Sequence, residues 1–517
     1  MVIDDQREVL AALSRPSTYG MAGSTVERID THSASVFLVG DRAYKLKRAV
    51  RYDYLDFSTA ARRKHCCEAE LALNARVAPA IYRRVVPLTR DGGTLVLDGH
   101  GPPVEWLLEM SRFDSEALGD RLAERHALGL PTMQALGHAV AVMHATAPVS
   151  RGRGGAAAMR WVIDGNAEAF ASFGDHLLPR ARHRVVTART RALVERLAAR
   201  LDQRASRGLV RQCHGDLHLR NVVLLDGRPT PFDAVEFSDA ISHIDVWYDV
   251  AFLLMDLWRR GLRRHANVVL NEYARATGDL DGLAVLPLFL ACRAAVRAKT
   301  SATAATLATT DEARASCAGT ARRYLELAES LLEPRPAALI AIGGFSGSGK
   351  STQAARLAPD LGPVPGALHL RSDIIRKDMF GVPASDSLPA AAYAPDVGVR
   401  VYAQLAELAA GALAAGHAVA CDAVYADAAA RAAIAAVAAR AGVPFAAVWL
   451  EAPDATLLSR VTARRHDVSD ADAGVVRRQL TEAQPPADWT HLDATADAEA
   501  TQGRLRAALA GRGIAVS

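Results

Sequence analysis

The sequence predicts two architectures in succession: an α+β part made of a small antiparallel sheet and a larger helical lobe, then an α/β part built on a parallel sheet. Three observations carry this. Short strand-like runs crowd the N-terminal region and give way to a long, mostly helical stretch. The segment Glu333-Pro334-Arg335-Pro336 then interrupts the chain. Proline lacks a backbone donor and disfavours helix in the residue before it, so a helical run ending near Leu332 stops there. Beyond that seam, apolar runs alternate with helical stretches, the pattern of a parallel sheet covered by helices.

At the usual ~150 residues per domain, 517 residues make about three folding units. Fractions of 50% hydrophobic and 23% charged residues exclude wholesale disorder. Lys+Arg 61 against Asp+Glu 57, a net charge of +4, argues against a dedicated nucleic-acid binder. The start, MVIDDQREVL, carries acids where a secretory signal needs a basic and then an apolar stretch. Uncharged runs such as Leu408 to Cys421 fall short of the ~18 apolar residues of a membrane span. Cys66, Cys67, Cys213, Cys292, Cys317 and Cys421 form no CxxC pair and no zinc spacing, and read as reduced thiols. A cytoplasmic enzyme without a membrane or nucleic-acid partner is expected.

Val26 to Ile29, Ser35 to Val39 and Ala43 to Lys47 read as strands, with Gly40-Asp41 a turn between the last two. Ala60 to Arg76 reads as a helix, and Leu95 to Leu97 and Glu105 to Met110 as two more strands. From Asp114 to Leu332 the pattern is helical apart from one strand hairpin near 222–237, with Arg151 to Ala158 a surface loop. After the seam the expected strands are Ala338 to Ile342, Ala367 to Leu370, His417 to Cys421 and Pro444 to Leu450. The expected helices are Lys350 to Leu357, Tyr402 to Ala415, Arg431 to Arg440 and Ala455 to Arg465. The domains are then a small lobe over 1–113, a helical lobe over 114–332, a linker over 333–337 and a third domain over 338–517.

The first chemical constellation is His214-Gly-Asp216-Leu-His218-Leu-Arg-Asn221, followed by Asp226-Gly227. Asp-Gly between apolar runs is the strongest short hairpin signal. A two-residue turn at 226–227 sets 225 against 228, 222 against 231 and 220 against 233. Asp233 therefore returns to the open end of the hairpin beside Asn221, assembling one amide and two carboxylates. Phosphoryl transfer needs such a set: a carboxylate to accept the acceptor hydroxyl's proton, and an amide and a carboxylate to hold Mg²⁺ on nucleotide phosphates.

The second constellation is Gly344-Phe-Ser346-Gly347-Ser348-Gly349-Lys350-Ser351-Thr352, which fits GxxxxGK[ST] after an apolar strand and at the start of a helix. The glycines let backbone N–H groups wrap phosphate oxygens, Lys350 would reach the outer phosphates, and Ser351 would ligate Mg²⁺. The next strand ends in Arg371-Ser372-Asp373, with Arg376 one turn on. Asp373 suits a base for an acceptor hydroxyl, and Arg376 a holder of an anionic group or substrate. Asp422, ending another strand, is a candidate Mg²⁺ partner through water or a substrate ligand. Arg460, Arg464 and Arg465 approach the polar segment His466 to Asp472, as in a lid whose arginines neutralise transition-state charge.

The first constellation, continued by Phe232-Asp233-Ala-Val-Glu236-Phe237 and Asp245-Val-Trp-Tyr-Asp249, resembles the aminoglycoside phosphotransferase/choline kinase superfamily, which shares the protein-kinase fold. The resemblance implies Asp216 as catalytic base, Asn221 and Asp233 as metal ligands, and Asp249 as a structural acid. His218 reads as a loop anchor. The same fold needs a strand lysine paired with a helix glutamate. Lys45 with Glu70 is the preferred pair and Lys47 with Glu68 the alternative; two residues apart is about 200° around a helix, so at most one of the glutamates points inward. No GxGxxG precedes the lysine, and only Gly20 and Gly23 are near; His32 to Ser35 would close over the phosphates and Val104 to Arg112 would receive the adenine.

The region 337–517 resembles small P-loop kinases such as gluconate kinase, and its Asp373/Arg376 pair resembles that of polynucleotide kinase and the zeta toxins. Features of AAA+ motors are not evident. The joint order is similar to bacterial fusion proteins described as aminoglycoside-phosphotransferase-like/ATP-binding, in which the segments 44–48 and 55–59 also fit. ATP and Mg²⁺ are the implied cofactors, and hydroxyl groups of small molecules the implied acceptors. Alternative readings are a single kinase whose P-loop domain is a regulatory ATPase, and a nucleotide-binding pseudokinase scaffold.

Overall fold

The computed structural model describes residues 5–21, 23–31, 33–52, 55–464 and 468–516. The chain divides into two compact units, residues 1–165 with 194–256, and residues 166–193 with 257–517. The 333–337 seam lies within the second unit, where no helix or strand spans 331–338.

In the first unit, helix α1 (Arg7–Leu13) precedes β1 (Val26–Asp30), β2 (Ala34–Val39) and β3 (Arg42–Lys47). A short pair, β4 (Arg51–Tyr52) and β5 (Leu55–Asp56), leads into α2 (Ala60–Asn74). Then β6 (Tyr82–Asp91), β7 (Thr94–Leu97) and β8 (Pro103–Ser111) complete a six-stranded antiparallel sheet in the order β1-β2-β3-β8-β6-β7. Strand alternation sends Tyr44 and Leu46 into a core with Phe37, Val86, Leu107 and Leu13 of α1. The same alternation leaves Lys45 and Lys47 together on the opposite face. There α2 is tied to the central strand by buried Arg63, whose Nε lies 2.9 Å from Glu105 Oε2. Strand β6 was not anticipated, because Pro87 and its three arginines hide a strand that tertiary pairing with β8 and β7 imposes.

Helices α3 (Gly119–Glu124), α4 (Leu130–Thr146), α5 (Gly155–Ser172) and α6 (Arg180–Ser206) follow, the last two each contributing to both units. The loop expected over 151–158 is shorter: Gly155 to Ala158 join α5, in whose first turn Asp202 Oδ1 accepts from Ala156 N at 2.8 Å. Next come β9 (Val210–Gln212), the hairpin β10 (Val222–Leu225) and β11 (Arg228–Pro231), α7 (Asp239–Ser242), β12 (His243–Asp245) and α8 (Val246–Arg259). Strand β12 pairs antiparallel with β9.

The second unit contains α9 (Arg263–Thr277), α10 (Leu286–Leu307) and α11 (Asp311–Ser330). After the seam, β13 (Leu339–Gly343), α12 (Lys350–Leu357), β14 (Leu368–Arg371), α13 (Ser372–Met379), α14 (Pro395–Ala414) and β15 (Val419–Asp422) alternate. The chain ends with α15 (Ala428–Ala441), β16 (Phe445–Glu451), α16 (Asp454–Ala463), α17 (Ala473–Glu482), β17 (Thr490–Asp493) and α18 (Ala498–Ala510). The five strands form a parallel sheet, β14-β15-β13-β16-β17. Buried on both faces, its central strand is wholly apolar, and Ile340, Ile342, Val448 and Leu450 pack with Leu505 of α18. The expected fold class, α+β followed by α/β, is the observed one. No helix among the described residues is long and apolar enough to cross a membrane.

Candidate functional site

Each unit assembles its own set of phosphate- and metal-competent side chains. In the first, Asp226 and Gly227 both take positive φ, 49° and 76°, as a tight hairpin turn requires. The ladder runs Val222↔Pro231 to Leu225↔Arg228, the register deduced from the sequence. Before the hairpin, Asn221 Nδ2 donates to Asp216 Oδ2 at 3.1 Å and to Asp216 O at 3.0 Å, joining amide and carboxylate. His218 Nε2 lies 3.4 Å from Asp216 Oδ2, and its ring packs edge-on against Phe252.

The loop is pinned from below by Asp249, fully buried, which accepts from His214 N at 3.0 Å and Gly215 N at 2.9 Å. His144 Nε2 lies 3.1 Å from the same carboxylate. Burial pushes the His214 ring to a lower pKa, against the pull of Asp249, Asp216 and Asp233; its Nε2 faces Phe232 O at 2.8 Å.

After the hairpin, Asp233 adopts φ 63° and donates its N–H to Tyr82 Oη at 2.9 Å. Asn74, at the end of α2, holds the next residue through Ala234 N at 2.8 Å. Glu70 is fully buried and takes both lysines, Lys45 Nζ at 2.7 Å and Lys47 Nζ at 2.6 Å. Lys45 also reaches Asp233 Oδ1 at 2.6 Å, and Lys47 reaches Glu236 Oε1 at 2.5 Å. Burial alone would raise the Glu70 carboxyl, but the two lysines hold it down at about 2. Burial would likewise lower both lysines, and their carboxylates raise them instead. Glu236 is raised, by burial first. Glu68 is exposed and pairs with Lys64 along its own helix, at 3.6 Å.

In the second unit, the glycine-rich loop connects β13 to α12. Gly344, Gly347 and Gly349 have φ of 143°, 90° and 87°. A Cβ on Gly347 would stand 2.6 Å from Leu457 O, and one on Gly344 2.8 Å from Leu450 O, so glycine is required at both. Ser346 N donates to Gln479 Oε1 at 2.9 Å. Ser351 Oγ donates to Asp422 Oδ1 at 2.9 Å, bringing together two residues 71 apart in sequence. This works because β15, which ends in Asp422, lies directly beside β13. Asp422 Oδ2 faces His369 Nε2, and Arg371 Nε lies 3.7 Å from it. Burial would raise Asp422, but His369, Arg371 and Lys350 hold it at about 2. Lys350 is buried and its pKa falls because of that burial, opposed by Asp373 and Asp422 and reinforced by Arg464 and Arg371. Lys350, Asp373, Asp422 and Arg464 therefore share one electrostatic neighbourhood. Thr352 is exposed on α12.

These residues fit a Mg²⁺–nucleotide. Ser348 Oγ is buried without a hydrogen-bond partner, beside a loop whose curvature leaves no room for a side chain at 344 or 347. Further along the chain, Arg376 Nη1 donates to Ala392 O at 2.7 Å and its guanidinium lies over the Tyr393 ring. Tyr393 Oη donates to Asp470 Oδ2 at 2.7 Å, and buried Lys377 lies 3.4 Å from Asp470 Oδ1.

Arg460 donates to backbone carbonyls, Gly347 O at 3.5 Å and Thr495 O at 3.2 Å, which ties α16 to the loop. Arg464 is the C-cap of α16 rather than a residue within the helix; Arg465 and His466 lie outside the described residues, as does His32. Residues 104–111 belong to β8, whose backbone pairs with β3 and β6 on its two sides. Sequence reasoning missed the Lys47–Glu236 pair, the Asn74 and Tyr82 anchors, Gln479 and His369. Of these only His369 carried a signal, standing two residues before Arg371 and so on the same face of a strand.

Residues 339–486 match the family model AAA_33, described as an AAA domain. Two proteins described as uncharacterized, Rv2004c of Mycobacterium tuberculosis and Mb2027c of Mycobacterium bovis, are each 29% identical over 483 residues, 89% of this chain and 90% of theirs. Among solved structures, a choline/ethanolamine kinase family protein from Mesorhizobium loti is similar over 62% of this chain and 99% of its own, at 14% identity and a TM-score of 0.39. A gluconokinase from Sinorhizobium meliloti is similar over 35% of this chain and 98% of its own, at 21% identity and a TM-score of 0.25. The C-terminal P-loop segment, residues 339–486, is thus the part of the chain matched as an AAA_33 domain.

Proposed function

We propose that the chain is a bifunctional ATP-dependent phosphotransferase with two nucleotide–Mg²⁺ sites, each acting on hydroxyl groups of small molecules such as sugars, amino alcohols or aminoglycoside-like compounds. One observation carries the reading: each unit holds a complete set of its own, Lys45, Asp216, Asn221 and Asp233 in the first and Lys350, Ser351, Asp373 and Asp422 in the second.

In the first site, Asp216 accepts the acceptor hydroxyl's proton as the new P–O bond forms and the bond to the departing nucleotide diphosphate breaks. Asn221 and Asp233 would hold the metal, and Lys45 the phosphates. In the second, the loop amides and Lys350 would cradle the phosphates, Ser351 and Asp422 would hold the metal, and Asp373 would take the proton. Mg²⁺ supplies neutralisation of charge on the phosphates at both.

Nucleotide stoichiometry tests this. Calorimetric titration with a non-hydrolysable ATP analogue and Mg²⁺ is expected to give two sites per chain in wild type and one each in Lys45→Met and Lys350→Met. A single site in wild type, lost in only one of the two variants, would refute it.

A further inference from the structure

Helix α9 lies outside the matched P-loop segment, yet it carries a polar stripe aimed at that segment. Arg263, Asn267, Asn271 and Arg275 recur every four residues, hence along one face. Arg263 Nη1 lies 3.3 Å from Asp360 Oδ1, and Arg275 Nη1 donates to Asp378 Oδ1 at 2.6 Å. Between them, Asn267 Nδ2 donates to Ala367 O at 2.9 Å and Pro365 O at 3.2 Å. Asn271 Oδ1 accepts from His369 N at 2.7 Å.

Strand β14 is an edge of the parallel sheet, and an edge exposes a row of unpaired N–H and C=O groups. A side-chain amide, with one acceptor and one donor end, substitutes for a neighbouring strand. The residue so fixed is not an arbitrary one. His369 directs Nε2 at Asp422 Oδ2, while Asp422 Oδ1 accepts from Ser351 Oγ at 2.9 Å. A continuous path runs from Asn271 through His369 and Asp422 to the serine of the P-loop.

We propose that α9 is a working part of the P-loop nucleotide–metal site: Asn271 fixes His369, and His369 is a positioning residue that fixes Asp422. The metal requirement of nucleotide binding is thereby set in part by a helix beyond residues 339–486. The inference rests on the reading of Asp422 as a metal partner.

The test uses the full chain carrying Lys45→Met, so that only the P-loop site binds, and titrates Mg²⁺ against a fluorescent ATP analogue. Residues that hold a metal's ligands in place are worth about 10–100-fold in metal affinity. Asn271→Leu and His369→Phe should each raise the half-saturating Mg²⁺ concentration by about 10-fold or more, with metal-free nucleotide affinity unchanged. His369→Gln keeps a donor near the Nε2 position and should recover most of the loss. An unchanged Mg²⁺ requirement in folded His369→Phe, or an equal shift with and without Mg²⁺, would overturn the proposal. If Asn271→Leu fails to fold, the contrast between His369→Phe and His369→Gln decides alone. No nucleotide binding at any Mg²⁺ concentration in the Lys45→Met background would overturn the nucleotide-site reading itself, and this proposal with it.

Discussion

Lys45 Nζ lies 2.6 Å from Asp233 Oδ1, an ion pair between the two groups that a metal-bound nucleotide would have to separate. Lys47 is placed differently. Its side chain is 3% exposed and enclosed by Glu70 and Glu236, whereas Lys45 is 17% exposed and shares a half-exposed aspartate. The two lysines differ in their surroundings: Lys47 holds α2 against the 233–237 segment, and Lys45 is the one we propose changes partners when nucleotide binds.

Lys45→Met should therefore remove measurable nucleotide binding at the first site, a loss of about 100-fold for a charge-assisted contact to the phosphates, while Glu70 keeps Lys47. Lys47→Met strands a buried Glu236, and breaking a buried pair costs about 3 kcal/mol or more. Thermal melts and nucleotide titrations on both variants check the contrast. The larger melting shift belongs to Lys47→Met and the larger affinity loss to Lys45→Met.

Asp249 accepts two backbone N–H groups of the 214–216 loop from a fully buried position. Replacing it by alanine removes the carboxylate that both backbone N–H groups and His144 contact. Asp249→Ala should cost about 3 kcal/mol or more of stability, read by urea denaturation.

Gly347 combines a φ of 90° with a Cβ position 2.6 Å from Leu457 O. Gly347→Ala should abolish nucleotide binding at the P-loop and leave the first site intact, reducing the stoichiometry from two to one. Gly503→Ala, with no atom within 4 Å of its Cβ and no positive φ, should change nothing.

His417 is buried beside Gly366 O, and burial lowers its pKa from 6.5 to about 4. In the unfolded chain this imidazole protonates below pH 6.5, whereas in the folded chain it resists protonation down to pH 4. The unfolded state thus binds more protons in that window, and stability falls as pH drops through it, by about 3 kcal/mol in total. Denaturation of His417→Gln against wild type from pH 7 to pH 4 should show the wild-type decline and its loss in the variant.

Much of this was legible in the sequence, for identifiable reasons. The Asp226-Gly227 turn fixes a hairpin register by its own backbone demands, and that register placed Asp233 relative to Asn221. The P-loop announces itself because its glycines, lysine and serine are contiguous. The Lys45/Lys47 and Glu68/Glu70 ambiguity was settled by helix rotation: Glu68 faces solvent, and one glutamate serves both lysines. What sequence could not show are contacts set by tertiary packing. Glu236 meets Lys47 across 189 residues, and Asn271 meets His369 across 98. Strand β6 was hidden for the same reason, its arginines and Pro87 being tolerated by partners on either side.

The central claim is two separate phosphotransfer sites. The most direct measurement is ATP turnover with product identification across sugars, amino alcohols, aminoglycosides and nucleosides, run on wild type, Asp216→Ala and Lys350→Ala. Wild type is expected to give two phosphorylated products, Asp216→Ala losing one and Lys350→Ala the other. Loss of one and the same phosphorylation step in both variants would contradict it.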